Sequence, residues 1–157
     1  MANIGDQLLQ PEDGWQRIDI YNTNSNFEFS SNFTFLSGRS DAFGGTFVYL
    51  KTGVTDGYIK FNFIGSKLRI IAVCASTRAK NASISIDNLI DEMTGIYNNV
   101  EKTYDLVYEK LNLSYKEHSV LISSGTGGSF SNLHLDAIDI DKSGILKSYN
   151  PNLNPNK

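Results

Sequence analysis

The segment LDAIDIDKSG, which starts at residue 135, carries aspartates at a spacing that suits metal binding. An EF-hand calcium loop takes oxygen ligands from alternate positions, has a glycine at position six and closes with a bidentate Glu at position twelve. Loop positions one, three, five and six would be Asp139, Asp141, Ser143 and Gly144. Position twelve is Asn150, and the segment before the loop has the pattern of a strand. We therefore interpret DKSG as the turn that ends a strand.

Asp136 differs from the other aspartates of this segment. It has the same strand parity as Ile138 and Ile140, so the alternation predicts that it faces the apolar side of a sheet. A carboxylate in such a place is costly unless it accepts hydrogen bonds or binds a metal ion. Both partners stay open at this point, and a hydrogen bond is the more common one.

The histidines and the single cysteine do not form a reactive group. His118 lies on the same side of its strand as Val120 and Ile122, which predicts a core histidine held by hydrogen bonds. His134 begins the last long strand, and the two histidines lack the spacing of a zinc site. Cys74 lies in the apolar run LRIIAVC, so we expect a buried, unreactive thiol and no disulfide.

Catalytic patterns are equally weak. The sequence contains no GxSxG turn for a nucleophilic serine. A glycosidase needs two carboxyl groups about 5 to 10 Å apart across a groove. The carboxylates that a fold could pair are Glu28, Asp105, Glu109 and Glu117, and the sequence singles out none of them. We predict a protein that is not an enzyme and keep a glycoside or ester hydrolase as the less favoured alternative.

Several exposed positions suit carbohydrate binding instead. A sugar ring stacks its apolar face on an aromatic ring, and its hydroxyls bind planar polar groups. Aromatic residues in loops or at outward strand positions are Trp15, Tyr49, Tyr58, Tyr97 and Tyr104, while Arg78 and Lys80 lie in the loop STRAKN. We predict a ligand site among Arg78, Lys80, Tyr49, Tyr58, Tyr97 and Trp15. The alternatives are core packing for the rings, solvation for the charges, and for Trp15 an anchor that packs the N-terminal arm down.

The elements that must position these residues are strands. The chain is rich in Phe, Tyr, Asn, Ser and Gly, and short alternating runs such as GYIKFNFIG are separated by turn residues. Roughly ten strands in 157 residues predict an all-β jelly-roll sandwich of two antiparallel sheets. We place an N-terminal arm at 1–13, the sandwich at 14–141 and a C-terminal tail or linker at 142–157.

The charge pattern excludes two classes of partner. The net charge of −3 is spread along the chain and leaves no basic stripe, so we predict no binding to nucleic acid or to an anionic membrane. No apolar run is long enough to span a bilayer, and the N-terminal residues lack the pattern of a signal peptide. We expect a chain made in a cytoplasm.

Four stretches, in this order, carry a resemblance to a known group of proteins: GDQLLQPEDGWQRID, STRAKNASISIDN, LNLSYKEHSVLI and LDAIDID. Together they resemble a galactose-binding-like jelly-roll module of phage virion proteins of Gram-positive hosts, which is similar to non-catalytic carbohydrate-binding modules. The resemblance covers about residues 4 to 141. Ala79 and Asn88 replace glycines that the group often has, and this changes the expected shape of the loop around Arg78.

The resemblance implies a function and a set of partners. It implies a non-enzymatic tail or receptor-binding accessory of a virion that binds host cell-wall glycan, or a structural or decoration protein that acts through contacts with other virion proteins. It also implies a homo-oligomer located in the virion. In such modules the aspartate that matches Asp136 is sometimes a structural calcium ligand, so calcium is the one cofactor that we consider.

Overall fold

The structure is a computed structural model that describes residues 2–51, 53–54, 56–125, 132–150 and 152. Twelve strands lie within these residues. They are β1 (Trp15–Asp19), β2 (Glu28–Phe29), β3 (Phe33–Leu36), β4 (Phe47–Leu50), β5 (Tyr58–Gly65), β6 (Leu68–Cys74), β7 (Ser83–Ile86), β8 (Leu89–Glu92), β9 (Lys102–Lys110), β10 (Lys116–Ser123), β11 (His134–Asp141) and β12 (Ile145–Lys147). Three short 3-10 helices also occur, at Asn24–Asn26, Phe43–Gly45 and Thr94–Ile96.

The strands form two antiparallel sheets of six strands each. Sheet A has the order β3-β4-β11-β6-β9, and β1 pairs with β11. Sheet B has the order β12-β5-β10-β7-β8, and β2 pairs with β5. The predicted all-β sandwich is confirmed. The two strands that the sequence analysis did not predict, β8 and β12, lie at the two ends of the sheet B order.

The core lies between the sheets and follows the predicted alternation. Ile59, Phe61 and Phe63 of β5 have no exposed surface, while Tyr58 and Lys60 point outward and are partly exposed. All of β6 is buried, as its apolar run indicated. Burying side chains of this size contributes about 1.5–3 kcal/mol each, so the core supplies most of the stability.

The N-terminal arm covers one edge of sheet A. The N–H of Gly5 donates to Leu106 O at 2.9 Å, and the N–H of Leu8 donates to Tyr104 O at 2.7 Å. Lys102 Nζ donates to Gly5 O at 2.6 Å. These bonds give the outer edge of β9 partners within the chain, which removes a site for strand addition. Met1 of the predicted arm lies outside the described residues.

The outer face of sheet A is also covered. The N–H of Phe43 donates to Asp136 Oδ2 at 3.0 Å, so the loop before β4 lies on this face. Gly44 has a positive φ of 64°, and a Cβ there would collide with the carboxylate of Asp19. Beneath the arm, Arg17 and Asp139 form a bidentate ion pair with distances of 2.7 and 2.9 Å. The charged face of this sheet is therefore internal to the molecule.

The C-terminal segment extends the sandwich beyond the predicted boundary at residue 141. Leu146 of β12 packs against the core, and β12 pairs with β5. Farther along, Asn150 O accepts hydrogen bonds from Asn62 Nδ2 and Ser119 Oγ at 3.2 Å each. The sequence pattern does not indicate this strand, because only one of its three residues faces the core. Residue 151 and residues 153–157 of the predicted tail lie outside the described residues.

The described residues contain no helix with the length and apolar character that a membrane crossing requires.

Candidate functional site

One end of the sandwich is built from two loops and the start of β11. We call residues 75–82 and 93–101, with Asn132 and Leu133, the loop end. Ala75 and Tyr97 form a parallel bridge, and the N–H of Ala75 donates to Ile96 O at 3.3 Å. The N–H of Ala79 donates to Asn132 O at 3.1 Å. These backbone bonds hold the two loops against each other and against the last strand of sheet A.

Arg78 lies in the predicted loop, but its side chain points into the protein and the residue is 4% exposed. Its Nε donates to Val73 O at 2.7 Å, and one terminal nitrogen lies 3.0 Å from His134 Nδ1. Glu101 is the nearest acid, at 4.0 Å. The guanidinium thus joins β6 to β11, and the expectation that Arg78 is exposed is wrong.

His134 and Tyr49 stack above this guanidinium. Their rings are 5.4 Å apart at 30°, and the ring of Phe47 meets His134 edge-on at 4.6 Å. Because a guanidinium can only donate, His134 Nδ1 must accept, and the proton of the neutral ring is on Nε2. Burial, together with the positive charge of Arg78, lowers the pKa of His134 to about 3. The imidazole therefore stays neutral at physiological pH and accepts a hydrogen bond from the Arg78 guanidinium.

Lys80 and Tyr97 form the exposed part of the loop end. Lys80 Nζ lies 5.0 Å from the centre of the Tyr97 ring, and both side chains reach solvent. The same two loops carry other exposed residues with hydroxyl, amide or carboxylate groups: Ser76, Thr77, Asn81, Asn99 and Glu101. An aromatic ring with a cation above it and planar polar groups nearby can bind a polyhydroxylated ligand.

The structure thus brings four of the six predicted ligand residues together. Tyr49 contacts His134, His134 contacts Arg78, and the loop of Arg78 carries Lys80 onto Tyr97. His134 was not among the predicted ligand residues. Its position directly opposite Tyr49 in the β4–β11 pairing could not be read from the sequence, because the two residues are far apart along the chain.

Tyr58 and Trp15 lie elsewhere. Tyr58 begins β5 on the outer face of sheet B, with Lys60 Nζ 4.7 Å from its ring centre. Trp15 pairs with Asp141 at the end of the sandwich opposite the loop end and is only 9% exposed. The predicted site residues therefore lie in three separate regions: the loop end, the outer face of sheet B and the opposite end of the sandwich.

Trp15 lies beside a cleft of about 520 Å³ that Glu12, Asp13, Lys67, Arg69 and Leu111 also line. Trp15 is already buried, and both Lys67 Nζ and Arg69 Cζ lie over its ring, 4.3 and 4.2 Å from the ring centre, so little of the ring is left for a sugar. Arg69 also binds Glu12 of the arm at 2.7 Å. These contacts fit the alternative role of Trp15, which is to hold the arm against the sandwich.

Asp136 lies on the outer face of sheet A and not in the core. The pairing of β11 with β6 shifts register between Leu135 and Ala137, so Asp136 is the extra residue of a β-bulge. Leu135 and Ile138 consequently both face the core although their parity differs. Burial raises the pKa of the Asp136 carboxyl to about 7, while the Phe43 N–H lowers it and the neighbouring Asp19 raises it further. Asp136 Oδ1 is buried without a hydrogen-bond partner among the described residues.

The other aspartates of this segment are bound to protein groups. Asp139 pairs with Arg17, and Asp141 accepts hydrogen bonds from the Ser66 hydroxyl at 2.5 Å and the Ser66 N–H at 2.7 Å. The N–H of Gly144 donates to Asp141 O, which makes DKSG the predicted turn.

Calcium has little support from this geometry. Calcium takes six to eight oxygen ligands, whereas Asp136 has an N–H donor beside it and the carboxylate of Asp19 accepts hydrogen bonds from Thr46 and Asn22. Within the described ranges, no three His, Cys, Asp or Glu side chains are grouped so that they could hold a metal ion. The residues present do not fit the ion, and calcium binding at Asp136 stays a prediction. A calcium-dependent rise in Tm that is lost in Asp136→Asn and kept in Asp141→Asn would support it.

The remaining ionisable residues have structural partners. His118 is 2% exposed, and its ring nitrogens lie 2.6 Å from Asp87 Oδ2 and 2.8 Å from Ser114 O, as predicted for a core histidine. Cys74 is buried, and burial beside Asp105 raises the pKa of its thiol to about 11, which keeps it unreactive. The four acids considered for catalysis each have a different neighbour. Glu28 pairs with Lys60, Asp105 with Lys102, Glu109 with Arg69, and Glu117 accepts from Asn62.

Comparison with known proteins identifies the fold and no family. No protein-family model matches this sequence, and no curated protein matches it. Among solved structures, a family two carbohydrate esterase from Cellvibrio japonicus is similar, with a TM-score of 0.53 and 14% identity over 85% of this chain and 35% of that chain. An exo-beta-1,3-galactanase from Phanerochaete chrysosporium, in a structure with beta-1,3-galactotriose, has a TM-score of 0.50 and 18% identity over 81% of this chain and 29% of that chain.

The chain spans about a third of the length of the solved chains that it matches. At this identity the likeness shows a shared jelly-roll-like β-sandwich, and function must be argued from the site.

Proposed function

We propose that this protein is a non-enzymatic carbohydrate-binding module whose ligand site is the loop end. The observation that carries the proposal is the pairing of Lys80 with Tyr97 on a frame that Arg78, His134 and Tyr49 hold rigid. A site on loops that are fixed by a rigid scaffold binds with little loss of conformational entropy.

The chemistry of the loop end suits sugar hydroxyls better than a charged or apolar ligand. Lys80 and Glu101 have opposite charges, and apart from Val100 the other exposed residues of the loop end carry amides or hydroxyls. A neutral polyol can donate to and accept from such a surface, while the Tyr97 ring can stack against its C–H face once the Lys80 ammonium moves aside.

The absence of catalysis is part of the proposal. The four acids that a hydrolase would draw on are divided between β2 and β10 of sheet B and β9 of sheet A, and each is bound to a different partner. The shared fold with chains named as a carbohydrate esterase and an exo-beta-1,3-galactanase supports a module for carbohydrate, since binding modules and catalytic units can occupy one chain.

We further propose that the chain is a tail or receptor-binding accessory of a phage virion, made in the host cytoplasm, with host cell-wall glycan as ligand. This finer assignment is based on the resemblance of the four sequence stretches. A structural or decoration protein of the virion is the second candidate. The exposed apolar residues Leu89 and Ile90 on β8 favour it, because surface of this kind marks contacts between proteins.

A glycan array and a pull-down with Gram-positive cell-wall polysaccharide test the proposal. We expect the wild-type chain to bind, and Tyr97→Ala and Lys80→Ala each to weaken binding by roughly tenfold or more, the loss expected for one stacking or charged contact. Tyr115→Ala is the matched control, because Tyr115 is an exposed tyrosine in the β9–β10 connection at the opposite end.

Two results would contradict the site. No binding to any glycan or wall fraction would remove the carbohydrate function, and equal loss in Tyr115→Ala and Tyr97→Ala would place binding somewhere other than the loop end.

A further inference from the structure

The edge strand β8 begins with two exposed, large apolar residues, at a place where a solvent-exposed edge is usually protected. Leu89 and Ile90 are 73% and 74% exposed, more than any other large apolar residue described. Among the described strands β8 pairs only with β7. The outward backbone groups of an edge strand can pair with another strand, and natural sheets commonly block this with charges, prolines or a covering segment.

The opposite edge of sheet B has a related pattern. Ile145 of β12 is 54% exposed, and Lys147 is exposed two residues later. On β8 the corresponding pair is Ile90 followed two residues later by the exposed acid Glu92. Neither Lys147 nor Glu92 has an ion-pair partner within the part of the chain that the structure describes.

Both pairs face the same way. Ile145 and Lys147 lie opposite Ile64 and Asn62 of β5, which point away from the core side occupied by Phe63. On β8, Ile90 and Glu92 lie opposite Ser85 and Ser83, which point away from the side occupied by Ile84. The apolar and charged residues of the two edges therefore lie on the outer face of one sheet.

The strand directions allow the two edges to meet. Each neighbouring pair in the order β12-β5-β10-β7-β8 is antiparallel, so β12 and β8, four steps apart, run in the same direction. A second copy displaced along the sheet would bring its β12 beside β8 in parallel. Placing Ile145 beside Ile90 then places Lys147 beside Glu92.

We propose that β8 of one copy pairs in parallel with β12 of a second copy, so that sheet B continues from molecule to molecule. The charges on the two edges favour β12 of a second copy as the partner of β8. Pairing β8 with β8 of another copy would collect two Asp91–Glu92 segments at one interface, whereas pairing β8 with β12 sets acid against base. The edge at β9 does not compete, since the arm already covers it. This contact is independent of carbohydrate binding.

The test is a charge-reversal set measured by sedimentation velocity and light scattering. A strand pair of three to four residues is a small interface, so we expect weak association that grows between about 10 µM and about 1 mM protein. Glu92→Lys and Lys147→Glu should each lower self-association by about tenfold or more, and the double variant Glu92→Lys/Lys147→Glu should restore it. Lys116→Glu, an exposed reversal on the central strand β10, is the control and should have no effect.

Cross-linking tests the register. Adjacent strands lie about 4.8 Å apart, within disulfide reach. Under mild oxidation a chain with Ile90→Cys should cross-link to a chain with Ile145→Cys and not to itself, and the buried Cys74 should take no part.

A wild-type chain that stays monomeric across this range would overturn the proposal. Sensitivity to Glu92→Lys without sensitivity to Lys147→Glu, or cross-linking of Ile90→Cys chains to each other, would overturn it in favour of β8–β8 pairing.

Discussion

Asp136 and His134 are two residues apart on β11, and burial shifts their pKa values in opposite directions. Both stay uncharged over part of the physiological range, because each would have to carry its charge beneath the covering loop. The face of sheet A that holds them thus gains its order from hydrogen bonds and from the buried Arg17–Asp139 pair.

Asp136→Asn should change how stability depends on pH. Burial raises the pKa of Asp136 from 3.8 to about 7, so the folded state holds the proton more tightly than the unfolded state. The contribution of Asp136 to the free energy of unfolding is therefore complete below pH 3.8 and is lost as pH rises to about 7. We expect the free energy of unfolding of the variant to rise relative to that of wild type between pH 4 and pH 8. The rise should be about 1–4 kcal/mol, because a pKa difference of one corresponds to about 1.4 kcal/mol.

Urea unfolding of both chains across this range measures the difference. The two chains must be compared because His134, which both contain, also makes stability depend on pH. Since the pKa of His134 is lowered, its protonation destabilises the folded state as pH falls through an overlapping range. A gap between the two chains that is constant from pH 4 to pH 8 would mean that Asp136 has an ordinary pKa.

Arg78 should matter for folding more than its loop position suggests. Arg78→Ala leaves Val73 O and His134 Nδ1 without their buried donor, which should cost roughly 2–4 kcal/mol of unfolding free energy. Arg78→Lys should recover only part of this, because an ammonium lacks the fork geometry that reaches both acceptors. Lys80→Ala, an exposed neighbour, should change stability by less than about 0.5 kcal/mol.

Chemical denaturation gives these values, and the NMR shifts of His134 add a second measurement. A ring that titrates near pH 6.5 in the wild-type chain, or an Arg78→Ala variant as stable as wild type, would show that this contact is not formed.

Alternation along strands predicted individual side chains well where the strand was regular. His118 and the inward face of β5 lie where the sequence placed them. Asp136 was placed on the wrong face, because a bulge inserts one residue and reverses the parity of all that follow. Arg78 was expected in solvent, since nothing local indicates that its acceptors are Val73 and His134.

At the level of elements, the N-terminal arm acts as a cover for β9. Removing residues 1–9 would delete the backbone bonds of Gly5 and Leu8 and would leave the Arg17 guanidinium without Leu8 O, which it reaches at 2.6 Å. We expect a lower Tm and slow association through the uncovered β9 edge, because an exposed edge can pair with another chain.

Light scattering during incubation and thermal unfolding followed by circular dichroism measure both effects. Leu9→Ser is the control, because it changes an exposed arm side chain and keeps the arm backbone. A truncated chain as stable and as monomeric as wild type would show that the arm contributes nothing to this edge.

The elements that the sequence analysis missed share a physical reason. Most strands were recognised because one face is apolar over at least four residues. In β8, Leu89 and Ile90 point to opposite faces and both are exposed, and β12 has only Leu146 facing inward. Edge strands like these are stabilised by pairing with a neighbouring strand, so the pattern of their own residues does not predict them.

At the scale of the molecule, the all-β sandwich could be predicted from spacing and composition. The grouping of Tyr49, His134 and Arg78 with the Lys80–Tyr97 pair could not, since it depends on which strands are neighbours in sheet A. The virion assignment rests on the resemblance and stays a proposal.

The proposed assembly has two different ends, which gives a prediction for mixtures. A Glu92→Lys chain keeps a normal β12 and can add to the β8 end of a row, but it offers no β8 for the next copy. Small amounts of the Glu92→Lys chain should therefore shorten rows of wild-type copies. The average mass of the assemblies, measured by sedimentation, should fall as the fraction of the variant rises. A mass that does not respond to the variant would contradict a directional row.

The common direction of β8 and β12 also decides what a row of copies presents. Copies joined in parallel keep one orientation, so every loop end faces the same side of the row. A surface that displays the same sugar many times would then be held by several weak sites at once. Overall attachment can exceed the affinity of a single site by about 10²- to 10⁴-fold in such an arrangement, with no additional contact at any one site. A module with a shallow, low-affinity site could in this way still hold firmly to a repetitive polymer while each copy exchanges rapidly.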